Sequence, residues 1–195
     1  MTTPADVTRA RPTARTLAEF VVIAESADSD LGLLLLFLMT TGVRARNAIA
    51  LLRSDFDPTL NLFHRPHVRG AGIAFPLELS TERALGLRQP GFRSSKHLFA
   101  PTVVGRDGLL RRYARRLRAL DPTSDVILND YRVAFENAVR DSVDDERLVD
   151  IIMGRPPLEP VSQSDFERAS IVIVQTAWTM QALIEDVRIR SRSAG

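Results

Sequence analysis

The chain has 195 residues, enough for one domain with a substantial core. Lys plus Arg (26) exceeds Asp plus Glu (24) by two, so no overall positive field is imposed, and the basic residues are almost all arginine, with Lys96 the only lysine. The absence of cysteine excludes disulfides, thiolate nucleophiles and Cys-based metal sites, and His64, His67 and His97 form no metal-ligand spacing, so neither a metal nor another cofactor is expected.

Residues 1–15 are polar, hold two prolines and lack a signal-peptide core, and are expected to be a flexible tail. Thr16–Ala27 has the apolar spacing of an amphipathic helix (Leu17, Phe20, Val21, Ile23 and Ala24). Asp30 is expected to cap the next helix, Leu31–Thr40, which is apolar on nearly all sides. That run is about half the length that spans a bilayer. It therefore reads as a buried core helix in a cytoplasmic protein with no membrane partner. Thr41-Gly42 ends it, because glycine suits the left-handed turn after a helix. Arg44–Leu52 reads as a second helix with Ala48, Leu51 and Leu52 inward, and Asp55–Pro58 as a turn.

Two strand-like runs follow, Leu60–Arg65 and Ile73–Leu77, joined by a Gly-containing tip as a β-hairpin. Ser80 is expected to cap a short helix over Thr81–Leu87, and His97–Phe99 reads as a short strand. Gly105–Leu120 is a helix carrying Arg111, Arg115 and Arg118 on one face. This stripe is either a solvated surface or a track for phosphates. Asn129 can cap a helix over Asp130–Asp141, and Asp144–Met153 forms another that stops at Gly154. The last helix runs from Ser164 or Asp165 to about Arg190. Its apolar residues, Ile171 to Val187, cover more than one stripe and imply burial in this domain or against a neighbour. The expected fold is mostly α with a small antiparallel β-sheet (α+β). It occupies residues 16–190 as a single domain, with 191–195 as a tail.

The segment LLLLFLMTTGVRARNAIALLRSDFD resembles the first block of the tyrosine recombinase (phage integrase) catalytic domain, an apolar helix leading into TGLR and a further helix. KHLFAP resembles that family's short strand. Asn129-Asp130-Tyr131-Arg132 stands where the family has HxxR. Arg155, 23 residues after Arg132, stands where it has the histidine of an LGH turn. The resemblance implies a DNA breaking-rejoining fold and double-stranded DNA as partner. In that chemistry a tyrosine attacks a phosphodiester. Two arginines hold the phosphate oxygens and stabilise the charge that builds up in the transition state, and a hairpin lysine protonates the leaving oxygen.

Arg44 and Arg132 match the two arginines, and with Arg155, Asn129, Arg69, Arg111, Arg115 and Arg118 they are the candidate DNA contacts. The rest of the catalytic set is missing. Asn129 and Arg155 replace the two histidines, Asn47 stands where a carboxylate is usual, and the hairpin tip has no lysine. No tyrosine follows Arg155, and Phe166 is the nearest residue to the nucleophile position. Engineering Phe166 alone would not also remove the lysine and both histidines, so natural degeneration is favoured over an engineered change. The family also carries a separate N-terminal clamp domain, for which residues 1–15 leave no room.

The favoured reading is a DNA-binding regulator or accessory factor that does not cut. One alternative is a working recombinase with a displaced nucleophile, Tyr131 being the candidate. The other is a protein-interaction module in which Arg44 and Arg132 make structural ion pairs, for example with Asp55 or Asp130. In either case the last helix is a candidate surface for a second copy or a recombinase partner.

Overall fold

A computed structural model of the chain describes residues 10–65, 73–87, 97–99, 106–155 and 160–193. The hairpin tip with His67 and Arg69, and Lys96, lie outside the described residues. The architecture is mostly helical with one small antiparallel sheet, as the sequence pattern implies.

Helices α1 (Ala14–Ala27) and α2 (Ser29–Thr41) pack against each other. Thr13 caps α1, and Asp28, not Asp30, caps α2 by accepting from the Leu31 N–H at 3.2 Å. One residue therefore ends the first helix and starts the second. Gly32 sits where an added Cβ would meet the Glu25 backbone nitrogen at 2.7 Å, so the two helices approach closely. Nearly every α2 side chain is buried, which makes it the central element. Helix α5 (Arg106–Leu120) packs on α1 and α2, and α6 (Leu128–Ser142) on α2. The short α7 (Glu146–Ile152) and the long α8 (Gln163–Ser193) complete the helical body.

The sheet adds a strand to the expected hairpin, taken from the Asp55–Pro58 segment expected as a turn, and runs in the order β1 (Phe56–Asp57), β2 (Leu62–Arg65) and β3 (Ile73–Pro76). Phe56 pairs with Phe63, and Phe63 with Phe75. The Phe63 and Phe75 rings meet Phe37 of α2, with Phe37–Phe63 and Phe37–Phe75 centroids 6.0 Å apart, and Phe56 packs on Phe63 at 5.4 Å. This aromatic cluster fixes the sheet's register against the core. His97 contributes only an isolated bridge to Leu52, not a strand.

Several expected boundaries shift. The helix after Gly42 is only α3 (Ala45–Ala48), followed by a turn and a 3-10 turn at Arg53–Asp55. Leu51 is buried, but Leu52 is half-buried. Asp55 accepts from the Leu52 N–H at 2.9 Å. Helix α4 (Leu79–Ala84) is capped by Glu78 in place of Ser80. Helix α6 begins at Leu128, with Asp130 accepting from the Ile127 N–H, so Asn129 lies inside the helix and is not its cap. Asp145 caps α7. Ser162 and Asp165 cap the start of α8 reciprocally, the Asp165 N–H donating to Ser162 Oγ (3.1 Å) and the Ser162 N–H to Asp165 Oδ2 (3.0 Å). The helix begins at Gln163 and runs on through residues 191–193.

No described helix is long and apolar enough to cross a membrane.

Candidate nucleic-acid interface

Two glycine-ended turns present the site, and one arginine ties them together. The first closes α2. Thr40 and Thr41 hydroxyls donate back to the Leu36 and Phe37 carbonyls at 2.9 and 2.6 Å. Gly42 takes the left-handed conformation (φ 61, ψ 9), and its N–H donates to Leu38. Val43 is buried, and Arg44 emerges as the N-cap of α3, its carbonyl accepting from Asn47 (2.7 Å) and Ala48 (2.9 Å). The backbone of Arg44 is thus fixed while its side chain is exposed. Among the described residues its guanidinium has no hydrogen-bond or ion-pair partner.

The second turn closes α7. Gly154 is left-handed (φ 61), its N–H donates to Ile151, and the Arg155 N–H donates to Asp150 at 2.8 Å. These are the two bonds of a Schellman motif, which the Met153-Gly154-Arg155 sequence suits.

Arg132 lies between the turns, on α6, and only 9% exposed. It donates from Nη1 to the Gly42 carbonyl and from Nη2 to the Met153 carbonyl, each at 2.6 Å. Both acceptors are carbonyls freed at helix ends, which need partners when buried. Two of the five guanidinium N–H groups are used in this way. Arg132 is held down to about 10 by burial first and then by the Arg44 cation, with Glu136 acting in the opposite sense and Arg155 adding a smaller depression. It remains protonated at neutral pH. Through these two carbonyls Arg132 joins the turns that carry Arg44 and Arg155.

Arg155 is committed elsewhere. It donates to Glu136 at 2.5 Å and to Asp150 at 2.9 Å, and these bonds raise its proton affinity. Burial works against the Glu136 carboxylate, but bonds from Arg155 and Arg140 outweigh it and hold the group below the usual carboxylate range. Glu136 is not among the residues that the sequence singles out. Its signal was its position one helical turn after Arg132 on the same face. Its ligand Arg155 becomes visible only in three dimensions. The ion pairs considered for Arg44 and Arg132 do not form. Arg132 bonds carbonyls in place of Asp130, and Arg44 has no bond to Asp55.

Asn129 is exposed, one turn before Arg132 on the same face of α6. Arg111, Arg115 and Arg118 are exposed on α5, which also packs against α3. Arg116 differs, because it makes a bidentate pair with Asp28 and lies 5.1 Å from the Tyr113 ring, so its role is to fasten α5 to the α1–α2 corner. Phe166 is half-buried in the first turn of α8. Ser162 Oγ is engaged in the cap of that helix.

Neither tyrosine faces this site with a free hydroxyl. Tyr131 is fully buried, its hydroxyl directed to the Leu17 carbonyl at 3.5 Å, and burial pushes its pKa up. Tyr113 is 1% exposed and donates to the Phe99 carbonyl at 2.6 Å. A cavity of about 180 Å³ lies on the other side of α6, lined by Arg11, Thr13, Asn137 and Asp141, and none of the three site arginines borders it.

Among solved structures, the chain matches the crystal structure of XerA recombinase with a TM-score of 0.57 and 20% identity, over 85% of this chain and 65% of that one. The fold is tyrosine-recombinase-like. No protein-family model and no curated protein sequence matches the chain. The recombinase-like fold accounts for the order of the elements that carry Arg44, Arg132 and Arg155. At this identity the likeness concerns the fold alone, and function rests on the site itself.

Proposed function

We propose that this chain is a double-stranded-DNA-binding module that grips a backbone phosphate without cutting it, and that it acts as a regulator or accessory factor. The observation that carries this reading is the state of Arg44. Its guanidinium is exposed and unpartnered among the described residues, on a backbone fixed by a helix end, beside the buried Arg132 cation. An arginine fork preorganised in this way suits a phosphate. The exposed Arg111, Arg115 and Arg118 supply further phosphate contacts, and Arg69, outside the described residues, is a further candidate. Burial of Tyr131 and Tyr113 supports the absence of cleavage, because neither hydroxyl can meet a phosphodiester without unpacking the core.

The test is duplex binding against salt concentration, together with a suicide substrate run on a denaturing gel. Binding should weaken linearly in log–log form, and Arg44→Ala should reduce the slope by about one. No covalent protein–DNA band should form. A band that vanished in Tyr131→Phe would overturn the reading in favour of a displaced nucleophile. Unchanged affinity in Arg44→Ala would remove Arg44 from the interface.

Glu136 sets the strength of this site. It neutralises Arg155, so the wild-type clamp works with Arg44 and the spare donors of Arg132. Glu136→Gln should leave Arg155 held by Asp150 alone, remove one negative charge from beside the clamp, and tighten duplex binding by about two- to fivefold at low salt, the scale of a partly exposed ion pair. A fluorescence-anisotropy titration measures it, and weaker binding in Glu136→Gln would show that Glu136 is needed to position the clamp.

A further inference from the structure

Helix α8 has two apolar faces, and only one is used inside the domain. Ile173, Ala177, Met180, Ile184 and Val187 are buried against the body. Within the stretch expected to meet a partner, Ile173, Ile184 and Val187 therefore serve the core. On the opposite side Ile171, Trp178 and Ile189 are 58, 60 and 55% exposed, and Ala182 is exposed with them. Together with Gln175 and Glu185 these positions alternate in steps of three and four. Steps of three and four are the spacing that places residues along one seam of a helix surface.

We propose that this face pairs with the same face of a second copy, antiparallel, about a two-fold axis at the level of Met180. The register follows from the residues. Positions equidistant from Met180 in sequence come opposite one another. Ile171 meets Ile189 of the second copy, Trp178 meets Ala182, and Gln175 meets Glu185. Every exposed apolar residue of the seam then faces an apolar one, and the largest side chain faces the smallest, as close packing requires. Gln175 is the polar complement of Glu185, its amide donating to the carboxylate. The flanking positions at the centre, Thr179 and Gln181, carry no charge, so nothing there repels. Arg168 and Arg192 face each other beyond the last apolar layers and end the contact. An isologous two-fold contact of this kind closes on itself and yields a dimer, not a filament.

The helix is already formed and fastened, by Arg147–Asp165 (3.0 Å) near its start and Arg188–Glu25 (2.9 Å) near its end. Association therefore carries no folding cost, and the loss of freedom is that of two rigid bodies. The seam spans roughly 27 Å of helix. A contact of that size belongs to the weak end of specific interfaces, so the dimer is concentration-dependent.

The full chain reports on this directly. Trp178 is the only tryptophan and lies at the seam, and the absence of cysteine leaves engineered thiols without background. Sedimentation of the full chain from about 1 to 500 µM should show a monomer–dimer equilibrium, and tryptophan emission should shift to the blue over the same range. Trp178→Glu should weaken the dimer at least about tenfold with an unchanged melting curve. Ile171→Cys and Ile189→Cys variants, oxidised as a mixture, should cross-link to each other but neither to itself. The proposal is overturned by a monomer at every concentration, by a dimer that survives Trp178→Glu, or by self-linking of each cysteine variant, which would mean a parallel seam. None of these readouts involves DNA, so they stand apart from the DNA-binding reading.

Discussion

Arg132→Met should destabilise the fold by about 2–4 kcal/mol, whereas Arg44→Ala should change stability by less than about 0.5 kcal/mol. Both residues are expected phosphate ligands, yet their surroundings differ. Arg132 is buried and holds the Gly42 and Met153 carbonyls at 2.6 Å each. Methionine fills much of the same space but donates nothing, so two buried carbonyls lose a charge-assisted bond worth about 1.5–3 kcal/mol each. Removing a depressed, partly buried cation returns some of that cost, which is why the sum is not doubled. Arg44 is exposed and makes no such bonds among the described residues. Urea denaturation of the two variants measures the difference. For a chain of this length the Arg132 loss corresponds to a fall of roughly 5–15 °C in melting temperature. Equal stability in both variants would mean that the carbonyl tie contributes nothing. The expected pattern divides the clamp into two parts. Arg132 assembles the turns, and Arg44 is the part left over for a ligand.

That division was only half legible in the sequence. The helices were, because an apolar period of 3.6 marks α1, α5 and α6, and an unbroken apolar run marks the central α2. Thr41-Gly42-Val43-Arg44 and Met153-Gly154-Arg155 also announce their turns, since glycine is the residue that accepts a left-handed φ. The extent of α3 was not legible. Ile49, Ala50 and Leu51 continue an apolar pattern that suits a helix, but they are buried in a turn. Leu51 there takes up a carbonyl bond from the Leu98 N–H at 3.0 Å instead. Tertiary packing overrode local preference at that point. Strand β1 escaped for a related reason, because two residues carry no period and Phe56 is a strand only through its pairing with Phe63. At the site, the types Arg44, Arg132 and Arg155 could be read, but their charge states as a group could not. Arg155 looks like a third cation in the chain and is neutralised by Glu136 and Asp150 in the fold. Charge balance at a site is a property of neighbours in space, and the partners here are up to 19 residues apart.

Gly42→Ala should be the most damaging single-methyl change at the site, and Gly154→Ala supplies its control. Both glycines have φ near 61, so alanine at either position incurs the left-handed penalty of about 1–2 kcal/mol. At Gly154 nothing among the described residues lies within 4 Å of an added Cβ, and that penalty should be the whole effect. At Gly42 the added Cβ would meet Phe135, with its Cγ at 2.8 Å and its Cδ1 closer still. Phe135 is fully buried and cannot swing into solvent. Relief has to come from displacing either α6 or the turn, at a further cost of about 1–3 kcal/mol for overpacking. The same displacement separates Arg132, one turn before Phe135 on α6, from the Gly42 carbonyl that it holds. Gly42→Ala should therefore lose about 2–5 kcal/mol in denaturant unfolding and weaken duplex binding as well, because the Arg44 backbone follows the turn. Gly154→Ala should lose only the conformational part and leave binding nearly unchanged, since Arg155 is already occupied by carboxylates. If the two variants were equally destabilised, close contact with Phe135 would not be what fixes the turn, and the placement of Arg44 would have to rest on the α3 cap alone.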